Sequence, residues 1–259
     1  MGRTLAITNQ KGGVGKTTTS VNLAASLAAR LERVLLVDLD PQGNATMGSG
    51  VDKNALDASV CDLLLEPGRE PASVVVRCIE PGYDLLPANA DLTAAEVGLL
   101  DVAEREYCLR RVLAPLSVHY DWILIDCPPS LSILTVNALT AADGVIIPMQ
   151  CEYYALEGLS ALLDTVEAVR ERTNPALVIE GLLRTMYDPR NSLTRDVSRQ
   201  LIAHFGDKVY RTVIPRNIRL AEAPSHGMPV LTYDRLSRGA VAYQALAGEL
   251  SRRYAELAS

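Results

Sequence analysis

The chain has 259 residues, 48% of them hydrophobic, enough length and apolar content for one large α/β domain over residues 1–259. Its net charge of −6 argues against a protein coated in positive charge. Five scattered cysteines without a C-x-x-C pair, and three histidines without metal-ligand spacing, suggest neither a disulfide framework nor a zinc or iron–sulfur site.

Cys61, Cys78, Cys108, Cys127 and Cys151 are therefore expected as buried free thiols. The N-terminus lacks the pattern of a signal peptide, and no apolar run reaches about 18 residues, so a cytoplasmic location without membrane association is expected.

In chain order, "TLAIT" around Leu5 opens as a strand rich in apolar residues without polar alternation, as in a strand buried on both faces. It runs into "KGGVGKTT", and a helix over Thr17–Ala29 begins where the glycines stop. Glycines allow positive φ and close approach. Successive N–H groups from Lys11, Gly12, Gly13, Val14, Gly15, Lys16, Thr17 and Thr18 can then face phosphate oxygens at the helix's partly positive end. Lys16 is placed to reach β and γ phosphates, and the Thr17 hydroxyl to ligate Mg²⁺. The strict G-x-x-x-x-G-K-[ST] pattern fails at one position, where Gln10 stands for its first glycine. By spacing alone the additional lysine, Lys11, is a solvated loop residue.

"RVLLVD" around Leu36 reads as the second strand and ends in "VDLDPQGN". Asp38 and Asp40 fall at its carboxyl end, where such sheets bind ligands, although the segment reads equally well as a turn. A helix is expected over Leu92–Leu113. "WILID" around Leu124 then ends in Asp126, the pattern of an acid that holds Mg²⁺ through water beside Thr17, and Pro128 and Pro129 stiffen the segment after it. Strands around Ile146 and Ile179 alternate with helices over Leu131–Leu139, Leu156–Val169 and Val197–His204. The pattern predicts an α/β fold, a mostly parallel twisted sheet with helices on both faces.

Between Arg184 and Arg238 ten Lys/Arg face five Asp/Glu, which makes the C-terminal third locally basic or simply a solvated face. Within it, "VIPRNIRLAEAP" reads as a loop. Tyr243, Leu246, Leu250, Tyr254 and Leu257 form one stripe of a terminal helix, expected to dock onto the body and not onto lipid. No base-reading motif is present in the chain.

The segments "KGGVGKTTT", "VLLVDLDPQGNAT", "ILIDCPPSLS", "QCEYYALEGL", "TMYD" and "VIPRNIRLAEAPSHG" together cover the chain almost from end to end. In them it resembles the deviant Walker-A P-loop ATPases and, among these, the ParA/Soj chromosome- and plasmid-partitioning proteins. The resemblance implies Mg²⁺-dependent ATP hydrolysis, slow in the isolated protein, and an ATP-sandwich homodimer in which Lys11 crosses to the partner's phosphates. It assigns Asp40 to the attacking water, Asp38 to the magnesium shell through water, and Pro215 and Asn217 to the adenine. It also implies that Arg190 and Arg219 lie in a sequence-independent surface for double-stranded DNA, so that the protein is nucleoid-associated, and that the basic tail of a ParB-type centromere-binding protein stimulates hydrolysis. Of the rivals, a MinD-like membrane ATPase is the alternative, though its C-terminal amphipathic anchor is not evident. A nitrogenase-type iron–sulfur reductase would need cluster cysteines, and Cys127, directly after Asp126, is in the wrong position with no convincing partner. A scaffold whose nucleotide binding matters more than turnover is the rival from another class.

Overall fold

The computed structural model describes residues 2–66, 68–153 and 155–257, without the side chains of 155–157 and 257. β1 (Arg3–Ile7) leads through the glycine-rich loop into α1 (Lys16–Ala28) and β2 (Val34–Asp38). The short helices α2 (Asn44–Gly48) and α3 (Val60–Leu65) precede a hairpin of β3 (Val76–Cys78) and β4 (Tyr83–Leu86). Next come α4 (Leu92–Gly98), α5 (Cys108–Leu113), β5 (Trp122–Asp126), α6 (Ile133–Ala141), β6 (Gly144–Gln150), α7 (Ala155–Arg172) and β7 (Val178–Tyr187). The last stretch holds α8 (Ser192–Phe205), β8 (Val209–Pro215), α9 (Ile218–Glu222), α10 (Val230–Tyr233) and α11 (Arg238–Leu257).

Among the described residues these strands form one eight-stranded sheet in the order β3-β4-β2-β5-β1-β6-β7-β8. Only the β3–β4 pairing is antiparallel. Alternate residues of each central strand enter two separate cores. Ala6, Leu35, Val37, Ile123 and Ile125 pack with residues of α3 to α8, whereas Leu5, Ile7, Leu36 and Leu124 pack with α1 and α11. Both faces are thus covered, which explains the lack of polar alternation in the strands. β1 lies at the centre, with β5 on one side and β6 on the other. Its successor β2 lies beyond β5, so the chain reverses its winding there and opens a crevice at the carboxyl ends.

The expected helix over Leu92–Leu113 is broken. After α4 the chain passes through 3₁₀ turns at Leu99–Asp101 and Arg105–Tyr107, with Val102 extended and Glu104 at φ 53°. A left-handed residue cannot continue an α-helix, so an apolar period that suggested one long element is cut into two short ones. The other expected helices are present with shifted ends. α8 starts at Ser192 because the Asn191 side chain accepts the Leu193 N–H, and α6 starts after Ser132, which accepts from Leu134. β3, β4 and the helices α2, α3 and α10 carried no sequence expectation, whereas "VIPRNIRLAEAP", read as a loop, holds the end of β8 and the short helix α9, which the Asn217 side chain caps.

In the terminal helix Tyr243, Leu246 and Leu250 are buried, and Tyr254 meets the Trp122 ring edge-on at 5.4 Å. The helix docks on α1 and β8; the Leu257 side chain lies outside the described residues. All five cysteines are free and buried. Among the described residues no helix is long and apolar enough to cross a membrane.

Candidate functional site

The loop from β1 to α1 is held open by its glycines. Gly13 and Gly15 take φ values of 73° and 87°, and Gly15 starts α1 without any side-chain cap. The first N–H groups of α1 therefore point outward unclaimed by a capping side chain, in the arrangement that receives an anion. A Cβ built on Gly12 or Gly13 would meet nothing within 4 Å, so there is open space in front of the loop.

Strands β6 and β7 clasp this loop from outside it. The Asn9 amide donates to the Pro148 carbonyl at 2.8 Å, and Asn9 Oδ1 accepts the Lys11 N–H at 3.0 Å. The Thr185 hydroxyl donates to the Val14 carbonyl at 2.7 Å. Gln150 Nε2 reaches the Gly13 carbonyl at 3.4 Å. These tethers come from "TMYD" and the end of "GVIIPMQ", segments in which sequence reasoning assigned no individual residue a role. The available signal was a polar residue at the carboxyl end of an otherwise apolar parallel strand.

Beneath the loop, Asp126 accepts the Thr17 hydroxyl at 2.7 Å and the Ser20 hydroxyl at 2.8 Å. Asp38 stands beside it in register across the β2–β5 pair. Both Asp38 oxygens are taken by the protein: Oδ1 accepts from the Asp40 N–H at 3.1 Å, and Oδ2 from the Thr46 N–H at 2.8 Å and the Thr46 hydroxyl at 2.7 Å. Burial carries both carboxyls above the ordinary carboxylate range, Asp126 further because Asp38 repels it, against the opposing hydroxyl bonds. A site that holds two buried acids so close together suits a cation.

Lys16 is buried and its ammonium donates to the Lys11 carbonyl at 3.3 Å. Burial lowers its pKa, while Asp126 and Asp40 oppose that effect. Asp40 is itself buried, with Oδ1 accepting the Gln42 N–H at 2.9 Å. Lys16, Thr17, Asp38, Asp40 and Asp126 thus share one charged crevice at the carboxyl ends of β1, β2 and β5. The hydroxyls, paired acids and open glycine cradle fit a Mg²⁺–polyphosphate group.

Lys11 is elsewhere: its ammonium sits at the rim, 2.6 Å from the Glu152 carboxylate of its own chain. Pro215 ends β8, three positions along the sheet from β1. Asn217 caps α9, its Oδ1 accepting the N–H groups of Arg219 and Leu220. Arg190 is paired with Asp188, and Arg219 with Glu222 and Asp234.

The family model described as an AAA domain matches residues 2–179. The chromosome partitioning protein ParA of Caulobacter vibrioides is 52% identical over 254 residues, 97% of this chain and 94% of its own. The chromosome-partitioning ATPase Soj of Treponema pallidum is 50% identical over 255 residues, 98% of each chain. A solved structure named as a cobyrinic acid a,c-diamide synthase from Mycobacterium smegmatis, with bound ADP and magnesium, superposes with a TM-score of 0.86 at 44% identity. That match covers 98% of this chain and 96% of the other.

Proposed function

The chain belongs to the ParA/Soj family of chromosome-partitioning ATPases, and from that premise we propose that it is a nucleotide-gated DNA clamp, paired and DNA-bound with ATP and released by hydrolysis. The loop backbone and Lys16 hold the phosphates, and Thr17 and Asp126 hold the cation, directly and through water. Held there with ATP, Mg²⁺ would neutralise charge on the polyphosphate. Asp40 orients water toward the γ phosphate and takes its proton, while Asp38 braces Asp40 and Thr46 beside the cation. Pro215 packs on the adenine and the Asn217 amide donates to its polar edge.

The observation that carries the reading is the division of labour between two lysines of one loop. Lys16 is buried among acids, whereas Lys11 projects from the rim against the exposed carboxylate of Glu152. An ammonium in that place can serve a triphosphate held by a second copy, in a dry interface where its charge is worth far more than in water. Pairing of two copies would join two weak basic surfaces, including Arg190 and Arg219, into one that holds double-stranded DNA. The phosphate-loop and strand-end motifs that build the site contain no arginine to act as a transition-state finger. Hydrolysis is therefore slow until a partner, the basic tail of a ParB-type protein, engages the paired form.

The reading is tested by DNA retention with ADP, ATP and a non-hydrolysable ATP analogue. Retention is expected with the analogue, weaker retention with ATP once the ParB tail is added, and none with ADP. Equal retention in all three nucleotides overturns it, and turnover that responds to neither DNA nor the tail favours a scaffold.

A further inference from the structure

Glu152 follows β6 in "QCEYYALEGL", two residues after Gln150, whose amide reaches the phosphate loop at the Gly13 carbonyl. Its carboxylate holds the Lys11 ammonium at 2.6 Å, with the two side chains 51% and 45% exposed respectively. The Lys11 backbone is fixed by comparison, since its N–H donates to Asn9, and Asn9 is buried and anchored on Pro148. Only the flexible four-carbon stem of Lys11 is left to move. Its ammonium therefore has two alternative counter-ions: a carboxylate in its own chain, or phosphate oxygens brought by a second copy.

We propose that Glu152 is a positioning residue that parks Lys11 within its own subunit and sets the nucleotide threshold at which two copies pair. This rests on the reading that Lys11 acts in the partner's site. Two effects of one charge produce the threshold. The cis pair must break before Lys11 can cross, and once it has broken, an unneutralised carboxylate remains at the rim facing an incoming polyanion. A triphosphate offers enough charge to displace it, whereas a diphosphate offers less. After hydrolysis the same carboxylate gives Lys11 a place to return to, which favours separation. Because the pair is exposed, each bridge shifts an equilibrium only by about 1.4- to 5-fold, and two bridges break per dimer, giving roughly 2- to 30-fold in all.

Sedimentation of the full chain against increasing non-hydrolysable ATP analogue, and separately ADP, tests this. Glu152→Gln should dimerise at a nucleotide concentration about 1.4- to 5-fold lower than wild type, since two nucleotides enter each dimer, and show some pairing with ADP, with an unchanged melting temperature. Glu167→Gln removes the same charge from an exposed site on α7, where it pairs with Arg170, and should match wild type. Identical thresholds for Glu152→Gln and wild type, or an equal shift in Glu167→Gln, overturn the proposal. Lys11→Ala is the separate control for its premise. If that variant still pairs at the wild-type threshold, the action of Lys11 in the partner's site is what fails.

Discussion

At the residue scale, the phosphate loop is held by contacts from strands far away in sequence. The Thr185 hydroxyl is buried against the Val14 carbonyl at 2.7 Å, and a Cβ on Gly15 would lie 3.8 Å from the Thr185 methyl. Thr185→Val keeps the shape but leaves that carbonyl without its donor, at a cost of about 1–3 kcal/mol while it stays buried. Part of this relaxes into loop movement, so the KM for ATP should rise roughly tenfold, with Thr185→Ser close to wild type. Steady-state kinetics of both variants check this, and an unchanged KM in Thr185→Val would mean that the hydroxyl does not hold the loop. Lys16, Thr17 and Asp126 were legible in the sequence because a glycine loop, a strand end and a helix start are local signals. Thr185, Asn9 and Ser20 were not, because nothing local distinguishes a threonine that grips a loop 171 positions away from one that fills a strand. The roles of Asp38 and Asp40 were ambiguous for the opposite reason: Asp-Pro and Gly-Asn are also turn formers, and the structure uses both properties, with Asp40 and Gln42 forming the turn around the carboxylates.

At the element scale, the buried parallel strands declared themselves through continuous apolar runs, and α1, α6, α7 and α8 through the helical patterns between them. β8 did not, and its environment explains why. It is an edge strand, and its pairing with β7 shifts register twice, between Leu182 and Arg184 and between Arg184 and Tyr187. Side chains complete what the ladder leaves open. The buried Arg184 guanidinium donates to the carbonyls of Tyr210 and Arg211, and Glu249 of α11 accepts the N–H groups of Arg211 and Thr212 at 2.8 and 2.9 Å. A strand finished by side chains needs no regular apolar pattern. For Glu249, burial pushes the pKa up, but the two N–H groups and Arg253 outweigh it, so the carboxyl ends below its ordinary value. A depressed carboxyl stabilises the fold above its unfolded pKa of about 4.3, and that contribution is lost as pH falls through the lower folded value. Glu249→Gln should therefore destabilise by about 1–3 kcal/mol at pH 7, a fall of roughly 2–4 °C in Tm per kcal/mol. The gap to wild type should narrow below about pH 4, where wild-type Glu249 is itself protonated. Melting curves from about pH 3.5 to 8 check it; a gap constant with pH means that packing and not charge is the contribution.

At the scale of the whole molecule, charge is divided against itself. The chain carries −6 overall, yet α8, β8 and α9 lie in its basic third. Within that third Arg190, Arg199 and Arg219 are each tied to a carboxylate, namely Asp188, Asp196 and Glu222, with Asp234 also on Arg219. The excess of positive charge therefore rests on Arg195, Lys208, Arg211, Arg216, Arg235 and Arg238, and the paired arginines contribute only where a phosphate displaces the carboxylate. For exposed pairs that exchange costs little, about 0–1 kcal/mol each, so pairing does not exclude Arg219 from a DNA surface. In the proposed function it would weaken binding by single copies, because the same carboxylates repel the backbone. In the proposed DNA-bound pair, two copies would double the phosphates contacted and hence the salt dependence, about −0.9 log units of affinity per log unit of salt for each phosphate. Arg219→Glu removes one contact per subunit and leaves Glu222 and Asp234 uncompensated. In the ATP-analogue dimer the salt slope should then fall by about 2 and retention at moderate salt should be lost, while nucleotide binding and pairing stay as in wild type. Plotting log affinity against log salt for both proteins decides the matter: an unchanged slope would mean that Arg219 stays with its carboxylates in the complex and that phosphate contact lies with the other basic side chains instead.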